Sequence, residues 1–424
     1  MSQSETTKKI ASNTFYQMLG KVFSMAITIL ATVVITRFYG REEYGAFSLM
    51  QNWPALFFII VDFGLNAIAT RELSKDWSKA GVYFGNILVI RTLLSLFFIF
   101  FLWIALAFFP YSDSLKFGIR LSLLLILMQA LYTTTNIIFQ VRLKYDMSTI
   151  GYLVGYLSIL FLILVFALFR INVVWVSFSY VVGGAITFFV NLGFVRKLGV
   201  KPDFGLDSDL WKYLFIQTIP LGLMFIFSQI NFKSDSILLS ILRLPNRYGL
   251  NNTESVAVYN LPYKIFEVAL VVPTFFMNSV YPVLVRHMME GKSRLKFTFE
   301  RSMTLLILSG VGAGLIGFVF APFAIKVLGG SQFAQSVGVL RILMLGLVLY
   351  YATQPISWLI VTLGKQNYLP YIYLVGAIFN VTANYIFIPR YSFYASAVIT
   401  HLSELIILIM LIIAASKAWR LKYA

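Results

Sequence analysis

Apolar runs of about 20 residues or more recur along nearly the whole chain, separated by short polar turns, and this constrains the fold before any motif does. A helix rises about 1.5 Å per residue, so about 20 such residues cross the roughly 30 Å hydrocarbon core of a bilayer. A transmembrane β-barrel would need shorter segments of alternating polarity, which are missing here. Length and apolar content predict about twelve spans, near residues 10–36, 44–70, 82–109, 116–140, 148–169, 173–195, 213–240, 258–284, 302–327, 336–362, 366–388 and 393–415.

With 59% hydrophobic and 12% charged residues and a mean hydropathy of +0.82, the expected class is an all-α polytopic membrane protein. The absence of cysteine excludes disulfides, thiolate metal sites and cysteine nucleophiles, and two histidines are too few for a histidine-rich metal site. No metal or other cofactor is implied. The polar stretch Met1 to Lys9 precedes a first run too long for a signal-peptide core, so that run is expected to remain as a span. The net charge of +17 has no soluble basic domain to hold it, which argues against nucleic acid as a partner. Its distribution fits a membrane orientation instead. Segments that would be inside if the N-terminus is inside carry more than twice the Lys and Arg of the outer ones, which predicts cytoplasmic N- and C-termini.

The polar link 196–212, VRKLGVKPDFGLDSDLWK with its flanking valine, divides the chain into an N-terminal six-helix lobe, 1–195, and a C-terminal six-helix lobe, 213–424. Even span counts give both halves the same orientation, as a parallel repeat requires, and a central site between two such halves is the expected arrangement. Within the link, Asp207 or Ser208 is expected to cap a short amphipathic helix containing Leu210 and Trp211.

Five cations fall inside predicted spans: Lys21, Arg91, Lys233, Lys264 and Arg341. A charge at mid-membrane costs about 2.5–3.5 kcal/mol on insertion scales, so such groups pair, face a wet interior or reach back to a surface. In the first span Asn13, Gln17, Lys21, Ser24 and Thr28 share one helical face, with Lys21 expected near mid-membrane. In the fourth, Gln129, Thr133, Asn136 and Gln140 form an uncharged stripe, which reads either as helix-to-helix glue or as a cavity lining. Lys233 and Asp235 lie late in the seventh span, and a snorkelling lysine and a lysine in a wet interior are both open readings. Asp62 and Asn66 share a face of the second span, Asn380 and Asn384 a face of the eleventh, and His401 and Glu404 lie three apart in the twelfth. Asp62, Asp235, Glu267 and Glu404 are candidates for a coupling proton or sodium ion, or for ion pairs, with Asp235 beside Lys233 and Glu267 beside Lys264.

No paired carboxylates in one loop, nucleophile elbow or metal-ligand cluster is found. The Gly-rich stretch Gly310 to Gly317 has no P-loop lysine and reads as close helix packing. The short outer loops, of which Arg243 to Ser255 is the largest, argue against a polytopic glycan-transfer enzyme. The chain is expected not to be an enzyme.

From Trp211 the sequence reads WKYLFIQTIP, KSDSILLSIL, VAVYNLPYKIFEVALVVP and SVYPVL. This resembles the Wzx-type polysaccharide flippases of the multidrug/oligosaccharidyl-lipid/polysaccharide exporter superfamily. In that family a proline-ended segment opens the seventh helix, an aspartate precedes an Ile-Leu-Ser run, and a G-x-Y-x-x-A-x-K-like segment opens the eighth. Pro220, Asp235, Tyr259 and Lys264 occupy those places, while Ala257 and Pro262 depart from the pattern. The N-terminal run through Glu43-Tyr44-Gly45 is similar too.

The resemblance implies a flippase at the bacterial inner membrane that moves an undecaprenyl-diphosphate-linked oligosaccharide, such as an O-antigen unit of lipopolysaccharide, to the outer leaflet. It implies alternating access of two six-helix lobes around a central cationic cavity, with other polysaccharide-assembly proteins as possible partners. Independently of the family, a diphosphate calls for Lys and Arg. Lys21, Arg91, Lys233 and Arg341 are therefore the expected diphosphate ligands, and Asn13, Gln17, Gln129, Thr133, Asn136 and Gln140 the expected sugar contacts. A multidrug-type or other lipid-linked exporter of the superfamily, and a non-transporting scaffold of polysaccharide assembly, are the alternatives.

Overall fold

A computed structural model describes the backbone of residues 3–423 and the side chains of residues 16–423; the Asn13 side chain lies outside the described residues. Among them there is no β-strand, and twelve helical stretches are long and apolar enough to cross a membrane, from Tyr16–Phe38 to Phe393–Tyr423. The protein is a multi-pass membrane protein.

The chain forms two compact units, 1–222 and 223–424. The first contains α1 (Gln3–Phe38), α2 (Gly40–Asp62), α3 (Leu65–Lys75), α4 (Ala80–Ala105), α5 (Asp113–Ser122), α6 (Leu124–Val141), α7 (Tyr145–Leu168), α8 (Val173–Lys197) and the start of α9 (Ser208–Ile241). The second contains the rest of α9 with α10 (Asn252–Ala269), α11 (Val271–Glu290), α12 (Lys292–Leu328), α13 (Ser336–Leu345), α14 (Leu347–Thr362), α15 (Leu369–Tyr391) and α16 (Phe393–Tyr423). The extra helices arise because four spans are interrupted: α2/α3, α5/α6, α10/α11 and α13/α14 each make one crossing.

In a bilayer the hydrophobic effect does not drive helices together, so close packing of small residues does. Helices α7 and α8 show it. A Cβ at Gly151 or Gly155 would strike the side chains of Asn191 and Thr187, and one at Gly183 would strike Ile159. In the second unit the Gly-rich stretch serves the same purpose: Gly314 on α12 leaves 2.7 Å between a built Cβ and the Met344 carbonyl of α13, and Gly310 abuts the Tyr351 ring of α14.

The link after α8 is bound to its own unit. Asp203 N donates to Gly81 O at 2.9 Å, and Gly85 has no room for a Cβ beneath the Asp203 carbonyl. Fully buried Asn86 donates to Gly205 O at 3.0 Å and accepts from Asp207 N at 3.2 Å and Trp211 Nε1 at 2.7 Å. Asp207 caps the helix that follows, accepting from Leu210 N at 2.9 Å. That helix is not short: the amphipathic turns with Leu210 and Trp211 are the first turns of α9, because the apolar run beyond them continues the same helix without a break. Replacing Asn86 by Ala should leave buried donors and acceptors unpaired, at about 1–3 kcal/mol. The expected readouts are a lower thermal unfolding midpoint and faster proteolysis between Leu198 and Asp207; an unchanged cleavage rate there would show that the link is held by other means.

Candidate functional site

The polar core of the first unit forms where the second span breaks. Phe63 (φ 41°) and Gly64 (φ 73°) both take left-handed backbone, so α2 ends at Asp62 and α3 starts at Leu65. A glycine suits this position, where a side chain would be strained and a built Cβ would meet Leu221 at 3.4 Å. The break leaves Asp62 at a helix C-terminus, where a negative charge is disfavoured, and Arg91 of α4 answers it. The Arg91 guanidinium forms an ion pair with Asp62 and donates to Thr134 Oγ1 at 2.8 Å and Thr133 Oγ1 at 3.5 Å. Asn66 Nδ2 donates to the Thr133 carbonyl at 3.2 Å, tying α3 to α6.

Arg91 is 0% exposed, which corrects its expected place as a ligand-contacting cation. Its charge is neutralised inside the unit, and it serves to hold the broken span against α4 and α6. Lys21 is exposed, as is Gln17 beside it. Thr149 in the second turn of α7 donates to the Tyr16 carbonyl at 2.9 Å and sits against Gly20, so Lys21 lies level with the start of α7.

The stripe on the fourth span is divided between two uses. Asn136 is engaged by α7, donating to Tyr152 Oη and accepting from Ser148 Oγ, each at 2.7 Å. Thr133 and Gln129 are half-buried, and the Thr133 hydroxyl donates to the Gln129 carbonyl at 2.6 Å. Gln140 is exposed and accepts from Thr70 Oγ1 at 3.3 Å.

In the second unit three charged groups meet between α9 and α10. Glu267 accepts from Lys233 Nζ at 2.6 Å and from Lys264 Nζ at 3.4 Å, and Lys233 lies 5.9 Å from the Tyr263 ring centroid. Lys233 precedes the end of α9 by eight residues and Lys264 follows the start of α10 by twelve, about 12 and 18 Å into the spans. Two ammonium groups share one carboxylate, and the cluster keeps a net positive charge. The lysine is 14% exposed, Glu267 32% and Lys264 39%, so the group is open on one side.

Asp235 does not pair with Lys233, because two residues along a helix turns the side chain well away from its neighbour. It is fully buried and accepts from Tyr259 Oη at 2.6 Å, Asn384 Nδ2 at 2.8 Å and Thr400 Oγ1 at 2.9 Å. Ser396 Oγ donates to Asn384 Oδ1 at 2.9 Å and Ser234 Oγ to Asn380 Oδ1 at 3.0 Å, completing an oxygen-rich cluster of α9, α10, α15 and α16. His401 and Glu404 are likewise separate: His401 Nε2 bonds the Ile342 carbonyl at 2.9 Å, while buried Glu404 accepts from Thr353 Oγ1 at 2.6 Å. Arg341 is exposed, 5.1 Å from the Phe318 ring. Ser396 and Thr400 were not singled out from sequence. Their spacing of four before Glu404 marks one face of α16, but short hydroxyls in membrane helices also bond their own backbone. Among the described residues no three His, Asp or Glu side chains converge as a metal site.

A family model described as "Polysaccharide biosynthesis protein" matches residues 10–288, and one described as MatE matches residues 246–386. The first covers more than half of the chain, so the chain belongs to the polysaccharide biosynthesis protein family. No curated protein matches the sequence. Among solved structures, the lipid II flippase MurJ in an inward closed conformation aligns with TM-score 0.74 at 15% identity, covering 95% of this chain and 88% of that one. An inward-facing multidrug resistance MATE family transporter of the MOP superfamily aligns with TM-score 0.74 at 14% identity, covering 94% and 96%. A MOP superfamily transporter from Pyrococcus furiosus Vc1, described with a binding pocket of reversed polarity, aligns with TM-score 0.66 at 16% identity, covering 98% and 94%. The fold is that of MOP-superfamily transporters, in agreement with the resemblance drawn from the sequence.

The buried Asp62–Arg91 pair generates a stability prediction. Arg91→Met should destabilise by about 3–5 kcal/mol, since it strands a carboxylate in the helix bundle. The double variant Arg91→Met with Asp62→Leu should recover much of that loss in a thermal unfolding assay in detergent. A double variant no more stable than the single one would remove the pair as the reason for the effect.

Proposed function

We propose that this member of the polysaccharide biosynthesis protein family is a flippase. It carries an undecaprenyl-diphosphate-linked oligosaccharide from the cytoplasmic to the outer leaflet of the bacterial inner membrane, exposing its polar groups alternately to the two sides. One observation carries the reading: the excess positive charge of Lys233 and Lys264 over Glu267, part-exposed and about 12–18 Å inside the spans. An unanswered charge there is costly, and a diphosphate, with about two negative charges, is a fitting counter-ion. Within the first unit, taken by itself, exposed Lys21 offers an anion contact of its own, and exposed Gln17 and Gln140 offer amides to sugars. Arg91 takes no direct part. A multidrug-type exporter of cationic compounds calls instead for carboxylates open to the substrate, and the buried carboxylates of Asp235 and Glu404 are engaged by hydroxyls and amides.

Two energy sources suit this chemistry. With the cytoplasm negative, moving two negative charges outward releases roughly 4–5 kcal/mol per 100 mV. Asp235, buried and in no ion pair among the described residues, is the candidate for a coupling sodium ion or proton.

Flipping of a fluorescent diphosphate-linked oligosaccharide lipid in vesicles tests the assignment. Lys233→Gln combined with Lys264→Gln should lower the rate at least about tenfold at equal insertion, by loss of roughly 1.4 kcal/mol or more of anion binding. Equal transport of a neutral analogue without the diphosphate would contradict the charge argument. For coupling, Asp235→Asn should abolish the response to an imposed sodium or proton gradient and leave the response to membrane potential; a variant that still follows both gradients removes Asp235 from that role.

A further inference from the structure

A cavity of about 550 Å³ opens in the second unit among α12, α14 and α16, away from the charged cluster of α9 and α10. Its floor is apolar, built from buried Ile356 and Leu359, with exposed Ile412 as an apolar side wall. Its rim carries Lys292 and Lys296 from the first turns of α12 and Arg420 from the last turn of α16, against the single carboxylate of Glu300. Lys296 lies 3.7 Å from Glu300, so Lys292 and Arg420 remain in excess. Trp419, half-buried at the edge, packs against Tyr423 with centroids 4.9 Å apart and the rings tilted by 50°.

We propose that this cavity is a binding site for an anionic phospholipid, with the phosphate on Lys292 and Arg420 and the start of an acyl chain on the apolar floor. Three features select a lipid over a soluble anion or a protein segment. The cavity lies at the start of one helix and the end of another that are each long and apolar enough to cross a membrane, and their ends project toward the headgroup side of such a crossing. An indole at its edge is the side chain favoured at that interface. An apolar floor under a basic rim matches an amphiphile, and basic pockets between membrane helices are a recognised setting for anionic headgroups. The site is separate from the proposed path of the transported lipid and does not depend on it, since its charge balance is set by its own side chains.

The test uses the full-length protein in detergent, titrated with phosphatidylglycerol or phosphatidylcholine and followed by native mass spectrometry. Phosphatidylglycerol should bind in preference to phosphatidylcholine, and Lys292→Gln with Arg420→Gln should weaken it by about fivefold per cation removed. The charge-matched control Arg196→Gln with Lys197→Gln should bind as the unaltered protein does. Equal retention of the two lipids, or equal weakening by the control, overturns the proposal. Should the double variant fail to fold, phosphatidylglycerol brominated on its acyl chain decides the matter on the unaltered protein. It should quench a fluorescence component that Trp419→Phe removes, and quenching identical in the two proteins overturns the site. Excess inorganic phosphate should not displace the lipid; displacement would show that the site takes a free anion and would equally overturn the proposal.

Discussion

A charge carried into a membrane helix must meet its counter-charge within a few ångströms, and how far each cluster meets that demand separates structure from function in this protein. Arg91 meets it in full: Asp62 and two threonine hydroxyls take up the guanidinium, and no charge is left over. Lys233 and Lys264 do not, because they hold one glutamate between them. A closed pair is an internal brace, whereas an open excess calls for an anion from outside. Sequence alone sets Arg91 and Lys233 together as diphosphate ligands and Lys264 beside Glu267, and does not separate the closed pair from the open excess.

The brace depends on backbone geometry. Breaking the second span at Phe63 and Gly64 frees polar backbone groups at membrane depth, which is tolerated where the break is enclosed by protein or lines a wet space. Here Asp62 stands at the break and Arg91 reaches it from α4, with α6 supplying Thr133 and Thr134. The close crossings elsewhere have a simpler origin, in glycines that admit a neighbouring side chain or carbonyl where a methyl group would not fit. In both cases the helix framework is specified by what it lacks, a Cβ or an unbroken hydrogen-bond ladder, as much as by its apolar faces.

Asp235 illustrates a third treatment of charge. Its carboxylate is answered by dipoles alone, from Tyr259, Asn384 and Thr400. Such an arrangement gives the carboxylate three hydrogen bonds and leaves its negative charge without a cationic partner among the described residues, which a small cation or a proton would change. The Wzx-like motif marks Asp235 and Tyr259 as separate points of similarity, and in the folded unit they are hydrogen-bonded partners. The cavity at the start of α12 and the end of α16 follows the same logic, with basic side chains in excess over one carboxylate beside an apolar floor.

Much of the architecture was readable from residue order. Apolar run length determines the number of spans, because the bilayer thickness imposes one length on all of them, and the short motifs from Trp211 onward point to the family. Side-chain pairing was not readable. Helical periodicity says which residues share a face but not which helix that face meets, so the sequence sets Asp235 beside Lys233 whereas its partners come from α10, α15 and α16. Run length carries no marker of where the neighbouring helices begin, so the level of Lys21 against the start of α7 comes only from the packed structure. Only the packed structure decided which cations are spent inside a unit and which remain open, since that choice depends on distances between segments far apart in the chain.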